Sequence, residues 1–149
     1  MNKTLFAAGA ALSALLFTPS AVAAQDQWPV EPAEYVEVSA IHIDDGFELK
    51  YMNHLANMWR KSMEFRVEKG WIEGYEILRN IHARAGEPDL YLLTRFTKMV
   101  SPEEGRARAK EWRAFNEATT EEMQEASAGR AEYRTLGSTM MLRRLVWDD

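Results

Sequence analysis

The chain has 149 residues, a formal net charge of −5 and no cysteine. That length suits one domain with a real core, and the acidic balance argues against a nucleic-acid or anionic-membrane surface. Without cysteine no disulfide can form, so packing, including that of five tryptophans, must supply the stability.

Lys3 is the one basic group ahead of an apolar run from Leu5 to Phe17, and Thr18-Pro19-Ser20-Ala21-Val22-Ala23-Ala24 follows. A basic start, a short apolar core and a small-x-small exit make the pattern of a secretory signal, cleaved after Ala23 or Ala24. The apolar stretch is shorter than the roughly 20 residues of a bilayer span. The expectation is a periplasmic or secreted protein with no membrane span once the signal is removed. Residues 1–23 are assigned to the signal and 24–34, polar with Pro29 and Pro32, to an extended leader. Residues 35–149 are assigned to a single domain.

Tyr35 to Ile43 alternates as a strand does, with Val36, Val38, Ala40 and His42 on one parity and Tyr35, Glu37, Ser39, Ile41 and Ile43 on the other. Asp44-Asp45-Gly46 supplies a turn and a helix cap. A helix is predicted from about Phe47 to Lys69, closed by Gly70. Its apolar side gathers Tyr51, Met52, Leu55, Met58, Trp59, Ser62 and Met63, a face wide enough to pack on a sheet. Trp71 to Ile81 reads as a second strand, Ala83 to Asp89 as a hairpin loop, and Leu90 to Met99 as a central third strand. Ser101-Pro102-Glu103-Glu104 has the form of a capping box and opens a second helix reaching toward Leu136. The stripe on that helix is thinner: Ala109, Trp112, Phe115, Thr119, Met123, Ala126 and Tyr133. Thr119-Thr120 and Gly129 are poor helix formers, so a break is expected at one of them. Thr139 to Trp147 closes the pattern as a last strand.

Two strand–helix–strand units in tandem predict an α+β fold of ferredoxin-like βαββαβ type, a four-stranded antiparallel sheet with both helices on one face. Both parities of the last two strands are largely apolar, as in Leu90, Leu92 and Phe96 against Tyr91, Leu93 and Met99. A sheet apolar on both sides needs a cover on both, and a second copy is the simplest one, so a homodimer is expected. In this order of elements, Tyr51, Trp59 and the stretch Glu68-Lys69-Gly70-Trp71-Ile72-Glu73-Gly74-Tyr75 are landmarks by which Tyr35 to Trp147 resembles the dimeric α+β barrel superfamily. The resemblance implies two sheets closed face to face. Groups of that superfamily include cofactor-independent monooxygenases, haem-handling enzymes, polyketide cyclases and stress-response proteins. No catalytic set of these maps residue by residue onto this chain, so the resemblance implies shape rather than chemistry.

The three histidines, His42, His54 and His82, fall on three different elements without a paired-ligand spacing. No metal site and no cofactor are expected; haem, bound through a single axial histidine, stays open as the alternative. Gly-x-Ser-x-Gly, Ser-x-x-Lys and phosphate-binding glycine motifs are missing from the sequence. Polar residues at positions where the pattern wants apolar ones are more informative. His42 continues the Val36 parity, Arg66 sits in the first helix's apolar face, Asn116 flanks the stripe holding Trp112, and Tyr133 lies on it. With Trp59, Trp112 and Phe115 these would line a pocket between sheet and helices for a small hydrophobic or aromatic molecule. His42 would be the acid–base group, and Arg66 or Asn116 would hold an oxyanion. The competing account makes the protein a non-catalytic envelope or stress-response dimer in which these residues complete the core or reach water. Arg95 and Arg143 are expected to pair across the dimer with Glu37 or Glu73.

Overall fold

A computed structural model describes residues 28–148. The export signal assigned to residues 1–23 and the first part of the leader lie outside the described residues. No helix among those described is long and apolar enough to cross a membrane.

Strand β1 (Val30–Ile43) begins ahead of the expected Tyr35. Its first residues pair only with the last strand, Val30 opposite Trp147 and Pro32 opposite Leu145, and the third strand joins from Tyr35 onward. Pro32 has no N–H to give to a ladder. It is tolerated where the strand has one neighbour, and the pairing slips between Pro32 and Tyr35.

The first helical segment comprises α1 (Glu48–His54), a π turn (Leu55–Trp59) and α2 (Arg60–Glu68). The expected rod is there, but the π turn winds in an extra residue and shifts the buried face. Tyr51, Leu55 and Met63 are buried, whereas Met52 and Met58 are exposed. The stop expected at Gly70 is realised as a Schellman motif: the Gly70 N–H donates to the Val67 carbonyl and the Trp71 N–H to that of Arg66, both at 2.9 Å. Gly70 takes a φ of 64°, which a glycine adopts without steric cost.

Strand β2 (Gly74–Arg79) and β3 (Leu90–Phe96) form the hairpin. β2 is shorter than its sequence pattern, and Ile81 falls on the exposed connection. Asp89 ties that connection to β1, its N–H donating to the Ile41 carbonyl and its Oδ2 accepting from the Ile43 N–H at 2.8 Å.

The second helical segment breaks, as Thr119-Thr120 suggested, into α3 (Pro102–Asn116) and α4 (Thr120–Gly129), followed by a 3-10 turn (Arg130–Glu132). Glu117 ends α3 in the left-handed region, φ 50°. The chain then enters β4 (Arg134–Trp147), which starts before the expected Thr139.

The strands assemble in the order β2-β3-β1-β4, each pair antiparallel. This is an α+β fold with a four-stranded antiparallel sheet, compatible with a ferredoxin-like arrangement. The π turn, the broken second helical segment and the long β1–β4 ribbon depart from the regular βαββαβ pattern.

Residues opposite one another in a ladder share a sheet face. Glu37, Ser39 and Ile41 of β1, with Thr94, Leu92 and Leu90 of β3, face the helices. The core forms there from Ile41, Tyr51, Leu55, Leu90 and Tyr133, with Ile43, Trp59 and Leu92 packed against it. The Val36, Val38, Ala40 and His42 parity faces away, with Arg95, Leu93 and Tyr91 beside it. The expectation had these faces reversed, because Val36, Val38 and Ala40 outweigh Glu37 and Ser39 in hydrophobicity. Burying Ile41 and Ile43 under the helices decides the orientation, and two polar residues are carried inward as a result.

Candidate functional site

Between sheet and helices the packing stays open in two adjoining lobes. The first, about 420 Å³, is lined by Ser39 and Leu92 of the sheet, by His54, Trp59 and Ser62 of the first helical segment, and by Asn116, Met123 and Arg130 of the second. The second, about 430 Å³, is lined by Trp71, Phe96, Met99, Val100 and Arg108. Glu37, Arg66, Thr94 and Trp112 belong to both and form the waist between them. Volumes of this size and an aromatic lining with a few polar points are the make-up of a small-molecule site.

Four sequence-predicted residues meet here: Trp59, Arg66, Trp112 and Asn116. The Schellman closure fixes Arg66 in the last turn of α2. Its guanidinium lies 4.9 Å from the Trp112 ring, a cation–π contact. Burial lowers its pKa, and the nearby Glu37 carboxylate opposes that shift, although no carboxylate reaches it within ion-pair distance among the described residues. A guanidinium gives up its proton only far above neutrality, so Arg66 brings a positive charge and free donors to the waist. Asn116 donates from Nδ2 to the Trp112 carbonyl at 2.7 Å, which ties the amide to its own helix and leaves Oδ1 for the cavity. The second hydrogen of Nδ2 stays available as a donor.

The other three predicted residues lie elsewhere. His42 is on the open face, and its Nε2 would stand 3.2 Å from a Cβ placed on Gly137. It therefore packs close to the β4 backbone at Gly137 and is not in the cavity lining, where the expected acid–base group would have stood. Phe115 stacks on Phe65 at a ring separation of 4.0 Å, behind Trp112 and outside the lining. Tyr133 is in the core, 6.4 Å edge-on from Tyr51 and stacked on Phe47. Arg95 pairs with Glu76 on the neighbouring strand, and Arg143 lies 3.9 Å over the Tyr35 ring, each within one chain.

Sequence reasoning missed His54, Arg130 and Arg134, together with the inward-facing Glu37 and Ser39. His54 lies in the cavity wall and 5.8 Å from the Tyr51 ring. Burial, reinforced by the charges of Arg130 and Arg134, lowers its pKa to about 4, so it is neutral at pH 7. Arg130 lines the cavity on the 3-10 turn. Arg134, the first residue of β4, is buried with its guanidinium 5.9 Å from the Tyr51 ring. The Nε atoms of both arginines are buried without a hydrogen-bond partner. A signal for His54 did exist: it lies three residues after Tyr51 and one before Leu55, on the buried side of the helix.

No group of three or more His, Cys, Asp or Glu able to hold a metal ion occurs among the described residues. Compared with models of protein families, with curated proteins and with solved structures, the chain matches none.

Proposed function

We propose that this protein is an exported homodimer that binds a small hydrophobic or aromatic molecule between its sheet and helices. The supporting observation is the composition of the sheet–helix gap. Trp59 and Trp112 face a cavity that also holds Arg66, Glu37, Ser39, Ser62 and Asn116, where a filled core would have met only apolar side chains. Polar groups at such positions are costly unless solvated or engaged, and a ligand would engage them.

Thermal unfolding and tryptophan emission, followed across a panel of aromatic and polyketide-like compounds, test this reading. A ligand selective for the native state raises the melting temperature in proportion to its saturation. It also shifts the emission of the lining tryptophans, and Trp112→Ala reduces both signals. A panel that moves neither quantity sinks the reading.

The dimeric part rests on the sheet face away from the helices, where Leu78, Met140 and Leu142 are exposed around Val38 and Ala40. Pairing of two such faces would give the dimeric α+β barrel implied by the resemblance. Export rests on the three-part pattern of residues 1–24. N-terminal sequencing of the protein recovered from the periplasm or medium should find a chain starting at Ala24 or Gln25.

A further inference from the structure

Arg130, Arg134 and His54 form a cationic end to the first lobe that the chain itself leaves unbalanced. Arg130 and His54 are both in the lining. Arg134 stands behind them over Tyr51, the ring that also neighbours His54. Neither arginine makes an ion pair with any carboxylate of the described residues, and each keeps a buried Nε with no acceptor. Arg134 is only 7% exposed, so water does not substitute freely for the missing partner.

Burial sets this pair apart, since Arg79, Arg106, Arg113 and Arg143 also lack an ion pair but are exposed to water. Arg60, Arg84, Arg95, Arg108 and Arg144 each hold a glutamate. Arg60, Arg84 and Arg144 have largely exposed side chains, and the less exposed Arg95 and Arg108 are still matched to Glu76 and Glu104. At the waist Arg66 has Glu37 opposing it across the gap. The two arginines at the far end repel one another instead, and their combined field helps to keep His54 unprotonated. Planar guanidinium forks are suited to carboxylate and phosphate oxygens, which they hold through paired charge-assisted hydrogen bonds. Met58, Trp59, Met63, Leu92, Met123 and Trp112 supply apolar lining in the same lobe as this cationic end.

We infer that the ligand of this cavity is an amphiphilic anion, its oxyanion head held by Arg130 beside His54 in the field of the buried Arg134 and its apolar body lying against the apolar lining that includes Trp112. The inference rests on the small-molecule reading above and narrows it to one chemical class. Neutral His54 contributes a donor or acceptor nitrogen to the head group without adding charge.

Calorimetric titration with decanoate and naphthoate, their primary amides and inorganic phosphate provides the test, and on the unaltered protein it needs no variant. At least one of the two acids should bind about tenfold tighter than its amide, the difference made by charge-assisted hydrogen bonds. Arg130→Gln, at a half-buried position, should remove that advantage and leave amide binding as it was. Arg134→Gln should do the same if it folds, and circular dichroism reports whether it has. Acids and amides of equal affinity overturn the inference and leave the cavity reading standing. Inorganic phosphate binding as tightly as the amphiphilic acids also overturns it, since the apolar lining would then add nothing. If the acids, the amides and phosphate all fail to bind, both readings fall together.

Discussion

His54 carries the clearest electrostatic signature of any single residue in the cavity. A histidine whose folded pKa lies near 4, below its ordinary 6.5, resists protonation in the native state more than in the unfolded chain. The contribution of the neutral form to stability is therefore complete above about pH 6.5 and declines as pH falls from there toward 4. Urea midpoints measured between neutrality and pH 4 should fall toward acid in the wild type and fall less in His54→Gln, whose side chain does not titrate. Identical slopes for the two proteins would mean that neither burial nor the charges of Arg130 and Arg134 depress the His54 pKa. The carboxylates of Glu34, Glu87, Glu104 and Glu122 also lose stabilising contacts on protonation, and both proteins share that loss at the acid end. The missed residues are instructive at this scale. Trp59, Arg66, Trp112 and Asn116 were legible because helical periodicity assigns a side chain to a face with little ambiguity. His42 was misplaced because a strand has two faces, and its alternation alone does not say which of them meets the helices.

The two caps of the second helical segment separate what an element's sequence encodes from what its tertiary partners decide. Ser101-Pro102-Glu103-Glu104 has the letters of a capping box, and Ser101 does accept from the Glu104 N–H at 3.1 Å. The Glu104 carboxylate, however, turns to Arg108 and Lys98 instead of back to Ser101, so half the box is formed. The complete box lies at the break: Thr119 accepts from the Glu122 N–H at 3.2 Å and the Glu122 carboxylate accepts from the Thr119 N–H at 2.7 Å. Thr119 and Thr120 were legible as a weak point because β-branched residues favour helix starts over helix interiors. That the weak point is also a strong start was less evident. Removing the hydroxyl with Thr119→Ala should cost about 1 kcal/mol, and for a domain of this size about 4 °C in melting temperature. Ser101→Ala likewise removes one hydroxyl acceptor, the half of its box that forms, whereas the reciprocal Glu122 carboxylate accepts from the Thr119 backbone N–H and survives Thr119→Ala. α4 positions Met123 and leads into Arg130, so Thr119→Ala should also weaken ligand binding, a loss that Ser101→Ala should not share.

For the whole molecule the decisive feature is the sheet face that the helices leave bare. Alternation of apolar residues on both parities of β3 and β4 was visible in the sequence and anticipated it. The register now shows what the face contains: Leu78 opposite Tyr91, Tyr91 opposite Ala40, and Val38 flanked by Leu93 and Met140, with Val36 next to Leu142. Val38 and Ala40 are already buried by their neighbours, while Leu78, Met140 and Leu142 remain 49%, 41% and 49% exposed. β4 adds Met141, Leu145 and Trp147, exposed on its other parity, so this edge strand lacks cover on either side. A contiguous apolar patch of this kind is unusual for a monomer. The ion pairs Glu76–Arg95 and Glu34–Arg144 are satisfied within one chain, so association need not expose unpaired charge. A face-to-face pair of sheets would bury the patch within the roughly 1,200–2,000 Å² of a stable interface. Sedimentation at micromolar concentration should therefore give twice the chain mass. The double substitution Met140→Lys and Leu142→Lys should give single, folded chains, because in one copy both side chains already reach solvent and a cation costs little there. Opposing like charges across the two-fold axis would make the same change prohibitive in the dimer. A wild-type protein that sediments as one copy would remove the dimer and leave the sheet–helix cavity, which one chain forms by itself, unaffected.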